Sequence, residues 1–167
     1  MSPSSTPTVP PSSPIRIGVS RCLLGEPVRY DGGHKRDVFL TDVLSRYVEW
    51  VPICPEAEAG FGTPREAMRL VGEVERPKLV TIGTERDLTK PLLQFTARTL
   101  SSLEENDLSG YIFKKNSPSC GVERVRLFNQ HGMPSRTGVG LFARAFMDRF
   151  PKFVGGAFRN PRDSIFG

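Results

Sequence analysis

Three cysteines are the residues of this sequence best suited to chemistry, and each lies among turn-forming residues. Cys22 occurs in RCLLGEP, Cys54 in ICPE and Cys120 in SPSCG. A free cysteine often serves as a small buried hydrophobe, and for any one of the three this is the simpler interpretation. It weakens for the set, because a cysteine that only packs belongs in the middle of a strand, whereas each of these lies in a turn-forming context.

Thiolates are soft ligands that select zinc, copper(I) or iron-sulfur clusters. A closed zinc site needs a fourth ligand and usually shows a close pair of cysteines. No close pair is present, but a histidine could complete a Cys₃His site, with His34 in DGGHK a better candidate than the turn residue His131. A [4Fe-4S] cluster on three cysteines would leave one iron open, and an open metal can act as a Lewis acid on a substrate.

The elements that must position the cysteines alternate between strand and helix. We expect strands at 15–20, 48–54, 78–82, 111–114 and 124–128, the last leading into a hairpin. Asp37 and Thr89 are predicted to cap helices, the first with a stripe running to Tyr47, and a third helix starts near Gly140. Residues 56–72 are interpreted as a connecting or functional loop.

This alternation predicts an α/β fold, a single Rossmann-like domain with a mostly parallel sheet. In such sheets ligands bind outside the carboxyl ends of the strands. Because Cys22, Cys54 and Cys120 each follow a predicted strand, we expect them to meet there. The cluster would then lie at the carboxyl ends of the strands.

Composition narrows the class of protein. The 167 residues suit one domain, predicted at 15–167 after a flexible Ser/Pro-rich tail at 1–14 that does not resemble a secretory signal. No stretch approaches the roughly 20 apolar residues of a membrane span. We therefore expect a cytoplasmic protein without a membrane partner. The net charge of +5 is scattered along the chain, which argues against a nucleic-acid polymer as partner; the oligomeric state is left open.

Four motifs occur in an order that resembles a known family. CLLGEPVRYDGGHK, VPICPEAEAGFGTPREAMRLV, KKNSPSCGVERV and GMPSRTGVGLFAR are similar to segments of the thiouracil desulfidase family, a domain-of-unknown-function family with three cluster-binding cysteines. The resemblance covers residues 15 to about 150. It implies a [4Fe-4S] cluster on Cys22, Cys54 and Cys120, and a non-redox reaction that removes sulfur from thiouracil or a thiouridine nucleotide and releases sulfide.

The same resemblance implies roles for two further residues. Glu56 corresponds to a catalytic acid/base, and Ser117 to a hydroxyl that positions substrate or passes a proton. Glu58 competes with Glu56 for the acid/base role, and Ser119 could instead only bond its loop. Ser117 is preferred over Ser119, whereas the sequence does not separate Glu56 from Glu58.

Polar residues in or beside the cysteine-bearing loops could bind the pyrimidine or an attached ribose phosphate. Backbone amides of 137–140 could do the same at a helix start. The side-chain candidates are Arg29, Tyr30, Asp31, Lys35 and Arg65. Two alternatives stay open, namely another sulfur-transfer or lyase reaction at the same cluster, and a non-enzymatic zinc or redox-sensing module.

Overall fold

The computed structural model describes residues 14–151, and within this range seven strands form two sheets. The strands are β1 (Arg16–Ser20), β2 (Glu49–Ile53), β3 (Met68–Gly72), β4 (Pro77–Thr81), β5 (Gly110–Ile112), β6 (Val125–Phe128) and β7 (Pro134–Gly138). The helices are α1 (Val38–Asp42), α2 (Thr89–Glu105) and α3 (Leu141–Arg149). None of these helices is long and apolar enough to cross a lipid bilayer.

The α/β class is confirmed, but the strands do not form one mostly parallel sheet. The first sheet has the order β2-β1-β5 and is parallel throughout. The second has the order β4-β3-β6-β7 and is mixed, with β3 and β6 parallel and the outer strands antiparallel to them. Strand β3 lies within the segment 56–72 that the sequence had assigned to a loop.

The first sheet is covered on both faces, as a parallel sheet requires. One face packs on α2 and α3 through an aromatic cluster that includes Tyr111, Phe113, Phe142 and Phe146. The other face carries Val19 and packs around α1. The second sheet buries a separate aliphatic cluster that reaches both α2 and α3. The two long helices therefore bridge both sheets.

The first helix is shorter than predicted. Asp37 caps it as expected, accepting from the Leu40 amide at 3.1 Å, but the helix ends at Asp42 and a 3-10 turn (Leu44–Arg46) follows. The Ser45 hydroxyl donates to the Leu40 carbonyl at 2.8 Å and accepts from the indole of Trp50 at 2.7 Å. The Ser45 hydroxyl therefore occupies the Leu40 carbonyl, which would accept a backbone amide hydrogen bond if the helix continued.

As a consequence, the predicted apolar stripe of the first helix is not buried. Tyr47 is 70% exposed, and Val38, Phe39 and Val43 are exposed as well. The second helix agrees better with the sequence pattern, since Leu92, Phe95 and Leu103 are buried. The expectations for the N-terminal tail and for the segment after Pro151 fall on residues 1–13 and 152–167, outside the described residues.

Candidate active site

The three cysteines follow the three adjacent strands of the parallel sheet. Cys22 lies in a 3-10 turn (Arg21–Leu24) directly after β1, Cys54 comes directly after β2, and Cys120 lies in the loop that follows β5. Because parallel strands point the same way, their carboxyl ends share one edge. All three cysteines line one cavity of about 950 Å³ at this edge.

Burial makes these thiols weak acids. It raises the pKa of Cys22 to about 11 and that of Cys120 to about 12, and it raises the pKa of Cys54 as well. A charge on Cys54 further raises the pKa of the other two, since like charges repel across the cavity. Burial alone therefore favours the protonated thiols, and metal ligation, which requires thiolates, would have to overcome that preference.

Glu56 lies buried on the cavity wall and uses both carboxylate oxygens. Its Oε2 accepts from Nε of Arg65 at 3.0 Å and from Nη2 at 2.8 Å. Its Oε1 accepts from the hydroxyl of Ser119 at 2.9 Å. The side chains of the ion pair are only 6% and 11% exposed for Arg65 and Glu56, so the carboxylate is held by strong, charge-assisted contacts.

Ser117 and Ser119 form one hydrogen-bonded unit with Glu56. The two hydroxyl oxygens lie 3.0 Å apart. Ser117 Oγ also accepts from the amides of Ser119 and Cys120, at 3.2 and 3.0 Å. Both serines line the cavity, and Ser119 is 2% exposed.

Glu58 faces away from this unit. Its Oε2 accepts from the amide of Cys54 at 2.6 Å, and its Oε1 is 3.3 Å from Nη2 of Arg21. It is exposed and does not line the cavity. Geometry thus separates the two glutamates: Glu58 stabilises the turn after Cys54, whereas Glu56 faces the cavity.

The residues predicted to bind substrate divide into two groups. Arg29, Tyr30 and Lys35 line the cavity. Asp31 is exposed and lies outside the cavity lining. Its Oδ1 accepts from the Gly33 amide at 2.8 Å, which closes the turn of its own loop.

Arg65 also lines the cavity, but its guanidinium is already engaged. Besides the two bonds to Glu56, its Nη1 donates to the carbonyls of Val28 at 2.8 Å and Gly62 at 2.9 Å, and to the hydroxyl of Thr63 at 3.2 Å. Each of the three guanidinium nitrogens thus has a protein acceptor. The arrangement is that of a brace between loops, with little capacity left for a substrate group.

The backbone amides of residues 137–140, which were also predicted to bind substrate, do not line the cavity. The Gly140 amide donates to the Gly121 carbonyl at 2.7 Å. A Cβ on Gly140 would lie 2.5 Å from the carbonyl carbon of Ser119. Glycine is therefore required here for close packing against the serine-bearing loop.

Lys114 is a cavity residue that the sequence reasoning missed. It is half-buried, and its Nζ donates to the carbonyl of Lys115 at 2.6 Å. Burial lowers the pKa of its ammonium, while the Cys22 thiolate opposes that shift. The strand-end rule that singled out the cysteines applies equally to Lys114, because it follows β5 at the same edge.

Comparison with known proteins identifies the family. The profile described as 2-thiouracil desulfurase matches residues 17–156 of the chain. The chain belongs to the 2-thiouracil desulfurase family. The resemblance inferred from the four motifs is thereby confirmed.

Two individual proteins are similar to this family member. The YbbK protein of Bacillus subtilis (strain 168) is 36% identical over 111 residues, which cover 63% of this chain and 72% of YbbK. The solved structure of the [4Fe-4S]-dependent thiouracil desulfidase TudS superposes with a TM-score of 0.66 at 29% identity. That match covers 83% of this chain and 95% of TudS.

The donor set of this family member, three thiols on one cavity, is of a kind that binds iron-sulfur clusters. Within residues 14–151, no three His, Cys, Asp or Glu side chains are grouped so that they could hold one metal ion. His34 and His131 are exposed and do not line the cavity. A cluster makes a different demand, because each thiolate binds a different iron. Three thiols around one roomy cavity fit that demand.

Proposed function

We propose that this protein is a [4Fe-4S]-dependent thiouracil desulfidase that replaces the sulfur of a thiolated pyrimidine with oxygen from water and releases sulfide. The observation that carries the proposal is the convergence of Cys22, Cys54 and Cys120 on one cavity that Glu56 also lines. Family membership and the similarity to TudS support it.

Cys22, Cys54 and Cys120 would hold the cluster at the carboxyl ends of the first sheet, within a single domain. When bound there by three cysteines, the cluster supplies one open iron, a thiophilic Lewis acid that polarises a C=S bond. The thiocarbonyl carbon then becomes an easier target for water. Such a displacement changes no oxidation state, since a C=S bond and water become a C=O bond and hydrogen sulfide.

Glu56 is the general base that accepts a proton from the attacking water. Arg65 holds one carboxylate oxygen, so the other, which faces Ser119, is the one that handles protons. Ser117 lines the same cavity and is the hydroxyl that donates a proton to the departing sulfur. Proton transfer by such groups is worth about 10²–10⁴-fold in rate.

The cationic residues of the cavity favour a nucleotide over a free base. Arg29, Lys35 and Lys114 all line it, and a phosphate offers them an anionic partner. A volume of about 950 Å³ lies at the upper end of the usual range for ligand pockets. We therefore expect Lys35→Ala to raise KM for thiouridine monophosphate more than for thiouracil.

The test is desulfuration by protein reconstituted anaerobically with iron and sulfide. Thiouracil and thiouridine monophosphate should each yield the oxygenated pyrimidine and one equivalent of sulfide without an added reductant. Glu56→Ala should keep its iron and lose activity, whereas Cys54→Ala should lose both. Absence of sulfide from every thiolated pyrimidine, or a stoichiometric need for reductant, would contradict the proposal.

A further inference from the structure

We propose that Ser119 is a positioning residue that carries protons between Ser117 and Glu56, an inference that rests on the function proposed above. Ser119 Oγ is 2.9 Å from Oε1 of Glu56 and 3.0 Å from Oγ of Ser117. No other hydroxyl among residues 14–151 bonds to Glu56 in this way. The three groups form a continuous chain along the cavity wall.

The donors and acceptors along this chain of hydrogen bonds determine which way a proton can move. Ser117 Oγ accepts from two backbone amides, which fixes the position of its hydroxyl oxygen. Ser119 has one hydroxyl proton and three acceptors in reach, namely Glu56 at 2.9 Å, Ser117 at 3.0 Å and the Cys120 sulfur at 3.8 Å. At rest the bond to the Glu56 carboxylate is the strongest, because it is charge-assisted. Once Glu56 is protonated it becomes the donor to Ser119, and the Ser119 proton can turn to Ser117.

The loop that carries Ser119 is fixed by the start of α3. The Leu141 amide donates to the Pro118 carbonyl and the Ala143 amide to the Ser119 carbonyl, both at 3.1 Å. The backbone of Gly140 lies against that of Ser119 in a contact that leaves no room for a Cβ. Ser119 is therefore held in place before any substrate arrives, and its burial keeps bulk water from bypassing the chain.

The proton transfers balance without an oxidant or a reductant. The oxygen of water bonds to the ring carbon, and Glu56 Oε1 takes the proton that this oxygen loses. Ser119 accepts that proton as it passes its own to Ser117, and Ser117 passes its own to the sulfur. The C–S bond breaks with its electron pair on sulfur, which leaves as hydrosulfide, while the second proton of water goes to solvent.

The experiment compares Ser117→Ala, Ser119→Ala and the double variant, each reconstituted anaerobically. We expect all three to retain the iron content of the wild type and to lose about 100-fold or more in kcat with little change in KM. Because residues that act as a unit are not additive, the double variant should be no slower than the slower single variant. The solvent isotope effect on kcat should also change, because several protons move together in the wild type and fewer move in Ser119→Ala.

Thr96→Val is the matched control, since Thr96 is equally buried and its hydroxyl bonds only within α2. It should retain full activity. The relay is refuted if Ser119→Ala keeps wild-type kcat, if its activity falls only in proportion to its iron, or if the two serine effects multiply. These results leave the proposed function standing, because that function fails only if the wild type releases no sulfide or needs a stoichiometric reductant.

Discussion

Arg65 offers a direct test of the structure, because the sequence predicts that it binds substrate, whereas the structure places it in a buried ion pair with Glu56. A substrate-binding arginine could be replaced with little effect on folding. In the structure, however, Arg65 neutralises Glu56 inside a site where the two side chains are 6% and 11% exposed. Arg65→Ala would leave a buried carboxylate without its cation.

The expected cost follows from that burial. Removal of one partner of a buried ion pair typically costs about 3–5 kcal/mol, a large part of the roughly 5–15 kcal/mol that stabilises an ordinary domain. Replacing the carboxylate as well, in Arg65→Ala/Glu56→Gln, should recover part of the loss, because a neutral amide is cheaper to bury. The exposed pair of Arg36 and Asp42, at 2.7 Å, serves as the control, since loss of a surface pair costs about 1 kcal/mol or less.

The assay is urea unfolding of the cluster-free proteins, followed by fluorescence of the only tryptophan, Trp50. It should show a large loss of unfolding free energy for Arg65→Ala, a smaller loss for the double variant, and a minor loss for Arg36→Ala. If Arg65→Ala were as stable as Arg36→Ala, or if the double variant were less stable than Arg65→Ala, the description of Arg65 as a brace would be wrong.

Two further predictions concern stability away from the cavity. Gly18→Ala would place a Cβ 2.2 Å from the ring of Tyr111 and should cost about 1–3 kcal/mol, whereas Gly110→Ala meets no atom within 4 Å and should be nearly neutral; equal urea midpoints would contradict this. Asp87 accepts from the Thr89 amide at 3.0 Å, and hydrogen bonds from Thr89 lower the pKa of the carboxyl. A carboxylate whose pKa is lower in the folded protein stabilises the fold above the unfolded-state pKa, and this stabilisation is lost in acid. Asp87→Ala should therefore cost about 0.5–1 kcal/mol at neutral pH and nothing in strong acid. A difference that persisted in acid would show that the carboxylate charge of Asp87 is not what stabilises the fold.

The arrangement of the cysteines could be predicted because it depends on a rule of topology. Strands β1, β2 and β5 are recognisable from short apolar runs, and parallel neighbours must end at one edge. In the second sheet, β4 and β6 are predictable as strands at 78–82 and 124–128, and a hairpin is predictable after the latter, but β3 is not. Strand β3 follows a glycine-rich segment in which Gly60 and Gly62 adopt positive φ, and the sequence signal there is that of a loop.

The roles of individual side chains were harder to predict than their location. The bond between Ser119 and Glu56 joins residues 63 positions apart, and no local pattern encodes such a contact. The same holds for Arg65, whose acceptors include the carbonyl of Val28 in another loop. Asp31 illustrates the opposite case, since an Asp followed by two glycines is itself a turn signal, and that turn accounts for its carboxylate.

The central claim is that Cys22, Cys54 and Cys120 together hold a cluster with one open iron, and Mössbauer spectroscopy of the anaerobically reconstituted protein tests it most directly. We predict about four irons per chain in a [4Fe-4S] spectrum, with one iron site that alone shifts when thiouracil is added. A colourless protein that retains one zinc per chain, or a cluster spectrum in which thiouracil shifts no single site, would contradict the claim.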